Sequence, residues 1–138
     1  MVSGSGMAFS RSDVSGLPDS PLMSGTVLFV PHARVAEVSA MAGVERGDAS
    51  RLAHASFVFD QDDATALGAI AVAIDAGGRF PVSVPEGRYV VCLADVFADH
   101  TTGPPYSVVG CAEVALPAAP VAGLSVSFGE GGVIARLS

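Results

Sequence analysis

Residues 75–91 read Asp-Ala-Gly-Gly-Arg-Phe-Pro-Val-Ser-Val-Pro-Glu-Gly-Arg-Tyr-Val-Val. Phe80, Val82 and Val84 alternate with Pro81, Ser83 and Pro85, which is the period of a β-strand with one buried face. Before that strand, Gly77 and Gly78 supply the φ > 0 positions of a tight hairpin. After it, Pro85 followed by Gly87 makes a turn with proline early and glycine late. Pro81 has no N–H to give to a ladder, so the strand 80–84 is expected at a sheet edge. Tyr89 brings an apolar ring for the core and a hydroxyl that needs a partner.

Outward from this stretch the period of two recurs. Ile70, Val72 and Ile74 alternate with Ala69, Ala71 and Ala73, and Leu124, Val126 and Phe128 alternate with Ser125 and Ser127. Short apolar runs at 26–30 and 55–59 and longer ones at 89–97 and 107–116 complete the set. Gly/Pro turn signals separate them, at Thr102-Gly103-Pro104-Pro105, Ala119-Pro120 and Gly129-Glu130-Gly131-Gly132. Strands returning about every eight to twelve residues point to an all-β antiparallel sandwich of about seven strands, immunoglobulin-like in its general plan. Gly43 and Gly47 interrupt the one helical candidate, 35–55, which is read as a long, locally helical loop; helix is expected below about a tenth of the chain.

Residues 1–25, rich in Ser and Gly, show no apolar periodicity and are read as a flexible N-terminal arm, with residues 26–138 as a single β-sandwich domain. The arm has neither the basic n-region nor the apolar h-region of a secretory signal. The 138 residues are 50% hydrophobic, too apolar for a disordered chain, yet no uninterrupted apolar run is long enough to enter a membrane as a helix. The net charge is −7, from 14 acids against 7 bases, all arginine, which argues against a nucleic-acid backbone as partner.

The run Asp75-x-x-Gly78-x-Phe80, then Pro85-x-Gly87-x-Tyr89, resembles the carboxypeptidase regulatory-like, or transthyretin-like, β-sandwich domains. Ser24-Gly25-Thr26-Val27 resembles their first strand, Ala55-Ser56-Phe57-Val58 the strand after the first long loop, and Gly123 to Leu137 their closing pair. The stretch after Val30 is longer than is usual there. The resemblance implies an accessory, non-catalytic domain.

If the strands 89–97 and 107–116 form a hairpin centred between residues 101 and 102, paired residues sum to 203 and Cys92 faces Cys111. Directly opposed antiparallel residues bring two Cβ atoms to about 4.5–5.5 Å, close enough that a small adjustment allows a disulfide. The alternative is two reduced, half-buried thiols; oxidation would place the chain in an extracellular or surface compartment, and the compartment is otherwise unassigned.

Three histidines (His32, His54, His100) and two tyrosines (Tyr89, Tyr106) invite comparison with the ferric site of intradiol dioxygenases, but no His-x-His is present and no histidine pair has ligand spacing. Asp60-Gln61-Asp62-Asp63 lacks the glycine and distal Glu of an EF-hand and is read as a solvated acidic loop. Asp95, Asp99 and His100 form a similar cluster. No nucleophile-elbow, phosphate-loop or dinucleotide motif occurs. The expectation is therefore a non-catalytic structural or interaction module without a cofactor or a catalytic residue. It would bind a protein or a carbohydrate through loops or an exposed sheet edge, or assemble as a subunit of a surface or virion-type complex. The second class is a metal-dependent enzyme or binder using His100, Asp95 and Asp99.

Overall fold

The structure, a computed structural model, describes residues 2–12, 18–44, 49–96 and 104–137. It is 52% strand and 17% helix, and two sheets pack face to face, so the chain is an all-β sandwich. Sheet A has the order β10 (Ile134–Leu137), β9 (Val121–Phe128), β1 (Val2–Ser10), with β2 (Ser20–Pro21) and β6 (Arg79–Val84) both pairing with β1. Sheet B has the order β4 (Phe57–Phe59), β8 (Tyr106–Leu116), β7 (Gly87–Ala94), β3 (Thr26–Pro31), β5 (Ile70–Ala73). Every pairing is antiparallel except β1 with β9. Among the described residues the strands number ten rather than about seven; β1 and β2 lie in the expected arm, and β9 with β10 forms the expected closing pair.

The expected flexible arm is corrected by β1. Instead of hanging free, Val2–Ser10 runs through the middle of sheet A, bonded to β6 on one side and β9 on the other. Val2 and Ala8 are fully buried. The buried positions of this strand are Val2, Gly6 and Ala8, while Gly4, exposed, stands at an irregularity in the pairing with β9, so the alternation is masked by glycines that have no side chain. Gly4 (φ 152°) and Gly6 are required by close approach: a Cβ on Gly4 would lie inside the Val121 backbone, and one on Gly6 inside the Phe80 ring. The strand is held by ladder hydrogen bonds and by what its glycines let in, neither of which a hydrophobicity pattern reports.

The segment 75–91 moves the chain between sheets. β5 belongs to sheet B, β6 to sheet A and β7 again to sheet B, so the turns at Asp75–Gly78 and Pro85–Glu86 are corners of the sandwich and not hairpins within one sheet. At the first corner the Asp75 carboxylate accepts from the N–H of Gly77 (2.8 Å) and of Arg79 (3.0 Å). Gly78 alone of the glycine pair has positive φ (82°). At the second corner, Gly87 has φ 141° and the Tyr89 hydroxyl donates to the Pro85 carbonyl. Among the described residues β6 pairs only with β1, so Pro81 sits on an edge strand.

Sheet B is buried on both faces. Its inner face (Val27, Phe29, Tyr89, Val91, Leu93) meets Phe80, Val82, Val84, Leu124 and Val126 of sheet A. Its outer face (Leu28, Val30, Val90, Cys92, Cys111) lies under a helical layer. That layer corrects the long-loop reading of 35–55: a 3₁₀ turn at His32–Arg34 leads into α1 (Val35–Ala42), which ends on Gly43 in the left-handed conformation (φ 72°) and is followed by α2 (Ala49–Leu52). Gly43 thus caps a helix instead of interrupting one. The acidic stretch 60–63 is corrected too. Asp60 is the N-cap of α3 (Gln61–Leu67), its Oδ1 accepting from the Asp63 N–H (2.8 Å) while Asp63 reaches back to the Asp60 N–H. Acidic side chains in the first turn also favour the positive end of the helix dipole. Helix therefore exceeds the expected tenth because these segments cover a sheet face that would otherwise expose Leu, Val and Cys.

Candidate functional site

Cys92 and Cys111 face each other across β7 and β8 in the register that sums to 203, which holds from Gly87↔Leu116 to Leu93↔Gly110. They form a disulfide with Cα atoms 4.0 Å apart and both residues fully buried. The bond lies on the outer face of sheet B beneath α1 and α3, and so is a structural staple with no reactive surface.

Among the described residues the dispersed polar candidates do not converge. His32 is hydrogen-bonded through Nε2 to Glu113 Oε1 (2.9 Å), and His54 is exposed beyond α2. Tyr106 is buried under the helical layer. Asp95 is 1% exposed with φ 55°; its Oδ1 accepts from the Ser107 N–H (2.9 Å), and its Oδ2 has no partner among the described residues. Asp99 and His100 lie outside the described residues. No group of three His, Cys, Asp or Glu positioned to hold a metal occurs among the described residues.

The surface concavities gather instead on the outer face of sheet A. Inward side chains of β1 commit Ser3, Ser5, Met7 and Phe9 to that face by the strand period. In the register of the sheet Arg79 pairs with Met7, Met7 with Ser125, and Ser125 with Arg136, giving one row across β6, β1, β9 and β10. Side chains in such a row share a face, and three strand spacings separate the two arginine Cα atoms by about 14 Å. A trough of about 370 Å³ lies on this face, lined by Ser5, Met7, Phe9, Arg79 and Ser125. It continues past Arg79 toward Pro81 and Asp75, and past Phe9 toward Asp19, Ile134 and Arg136. Met7 is 38% exposed and Phe9 half-buried, so the floor offers a thioether and a phenyl face among hydroxyls.

The arginines of this face differ from those elsewhere. Arg34 is paired with Glu37 (3.3 Å) and Arg88 with Glu113 (3.8 Å). Arg11 spends its guanidinium on structure: it donates to the Ser127 Oγ (2.7 Å) and to the carbonyls of Ser127, Glu130 and Gly132, latching β1 to the β9–β10 turn. Among the described residues neither Arg79 nor Arg136 pairs with a carboxylate, and the nearby Asp75 carboxylate is turned to backbone N–H groups. Strand period alone sets Pro81, Ser83 and Ser125 on the outward side of their strands, but Ser3, Ser5, Met7 and Phe9 fall in the expected arm, which hides the face they complete. The alternation Val2, Gly4, Gly6, Ala8 against Ser3, Ser5, Met7, Phe9 was the available signal.

No known family model and no curated protein matches the chain. Among solved structures, the crystal structure of a candidate carbohydrate-binding protein from Pseudomonas aeruginosa is similar in fold, with a TM-score of 0.53 at 16% identity over 91% of this chain and 87% of that one.

Proposed function

We propose that the chain is a non-catalytic binding module whose ligand, a carbohydrate, lies across the outer face of sheet A. The observation that carries this reading is the open trough over four strands, in which hydroxyl and guanidinium groups flank a thioether and a phenyl face. Saccharides present rings of hydroxyls together with apolar C–H faces. A site for them combines convergent polar groups with apolar floor, and it is positioned by rigid elements rather than by a closing lid. The name of the structurally similar Pseudomonas protein supports the ligand class. The resemblance of 75–89 to carboxypeptidase regulatory-like domains supports an accessory, non-catalytic role, and membership of that family is part of the proposal. A protein partner at the same face is the competing occupant.

Amide chemical-shift mapping tests the reading. Titration with a panel of neutral and acidic oligosaccharides should shift Ser5, Met7, Phe9 and Ser125 and leave Val38 and Leu67 of the helical layer unmoved. A panel that shifts nothing, or that shifts only the helical layer, refutes it.

A further inference from the structure

Resting on the carbohydrate reading above, we infer that the ligand is an acidic oligosaccharide, one carrying carboxylates, held at two points by Arg79 and Arg136. The two guanidinium groups stand at opposite ends of a single cross-strand row, with Met7 and Ser125 between them. Among the described residues Arg34 and Arg88 are paired with carboxylates and Arg11 is bonded to carbonyls and a hydroxyl, whereas Arg79 and Arg136 are committed to neither. Two uncommitted guanidinium groups in one row, about 14 Å apart, make a two-point clamp. An exposed arginine costs nothing to leave in water, but its planar fork matches a carboxylate with two parallel hydrogen bonds.

Charge complementarity selects the occupant. Arg79 and Arg136 supply the positive charge of this face, while the neighbouring acids are turned to the backbone, Asp75 accepting from the N–H groups of Gly77 and Arg79 and Asp19 from that of Ser12. A second copy of the chain fits poorly, since two chains that each carry a net charge of −7 repel. The spacing requires a ligand long enough to place anionic groups at both ends of the row while its middle rests on Met7 and Phe9. An extended uronic-acid oligomer has anions at regular intervals and apolar ring faces between them. An extended acidic peptide has the anions but gives the central floor no ring faces.

Calorimetric titration of the whole chain with an oligogalacturonate, its carboxyl-reduced neutral counterpart and poly-glutamate tests this. The oligogalacturonate should bind, and Arg79→Gln or Arg136→Gln should each weaken it by about tenfold, the size of one charge-assisted hydrogen-bonded contact. Arg34→Gln, on the opposite side of the sandwich, should leave it unchanged, and thermal melts of all three variants should match the unsubstituted chain. Raising the salt should weaken the acidic ligand and have little effect on the neutral one. Equal binding of the carboxyl-reduced oligomer would overturn the acidic assignment and leave the carbohydrate reading standing. Equal binding of poly-glutamate would overturn the saccharide assignment. Binding of neither saccharide would overturn both.

Discussion

Phe80 occupies the space that a side chain on residue 6 would fill: a Cβ built on Gly6 would stand 2.3 Å from the ring's Cζ. The two residues pair across β6 and β1, and the ring, 2% exposed, lies 6.4 Å from that of Phe29, which in turn meets the edge of Tyr89 at 6.0 Å. The phenylalanine of the 75–91 segment is therefore seated by a glycine more than seventy residues earlier.

Gly6→Ala should destabilise the fold by about 1–3 kcal/mol through overpacking. Phe80→Leu in the same chain should recover part of that loss by making room. A double-mutant cycle from denaturant unfolding measures the coupling, and strictly additive effects would show that the two positions do not share the space.

Deletion of residues 1–11 should abolish cooperative unfolding or drive aggregation, because it bares the pairing edges of both β6 and β9. In the intact chain the amides of Gly6 and Ala8 should exchange slowly, Ala8 N–H being bonded to the Gly78 carbonyl. Exchange as fast as that of a free peptide would restore the flexible-arm reading.

Replacing Cys92 and Cys111 with alanine removes a cross-link between residues 19 apart, worth roughly 3 kcal/mol on the loop-entropy account. The expected fall in Tm is about 10 °C. Because both sulfurs are shielded, reductant should act slowly on the native protein and quickly in mild denaturant; rapid reduction under native conditions would contradict the burial of the pair.

Arg11→Ala should cost about 2 kcal/mol, since a charge-assisted donor to three carbonyls and a hydroxyl is lost. Arg11→Lys should recover little of it, because a single ammonium cannot span the same acceptors. Full rescue by lysine would mean that charge alone, and not the fork, holds the β9–β10 turn.

Burial raises the pKa of the Tyr89 phenol above its ordinary value. The folded state thus holds this proton more tightly than the unfolded state. The stability so linked is complete below about pH 10, the usual phenol value, and is lost as pH rises through the native pKa. Alkaline unfolding curves should show that loss, and Tyr89→Phe should flatten it while also removing the bond to the Pro85 carbonyl. An alkaline slope unchanged in Tyr89→Phe would assign it elsewhere.

The period of two over 70–74, 80–84 and 124–128, and the register that sets Cys92 against Cys111, were legible because each rests on side chains or spacings within one or two adjacent strands. Pro81 announced an edge for the same reason, its missing donor being a property of the residue itself. The face of sheet A that carries Arg79, Met7, Ser125 and Arg136 was not legible, although Arg79 lies within the very segment that revealed the fold. Its four members come from four strands spread from residue 7 to residue 136, and only the pairing of β1 with both β6 and β9 puts them in a row.

Local alternation and turn chemistry thus settled that the chain would make strands, where most of them begin and end, and which cysteines meet. Tertiary structure decided the rest: that Val2–Ser10 is a central strand, that the helices Val35–Ala42, Ala49–Leu52 and Gln61–Leu67 cover sheet B, and that the segment 75–91 shuttles between sheets. The reason is the same in each case. Hydrophobic periodicity measures what a side chain contributes, whereas Gly4, Gly6 and Gly78 act through the side chains they lack, and the value of an absent atom is set wholly by the neighbour that comes to occupy its place.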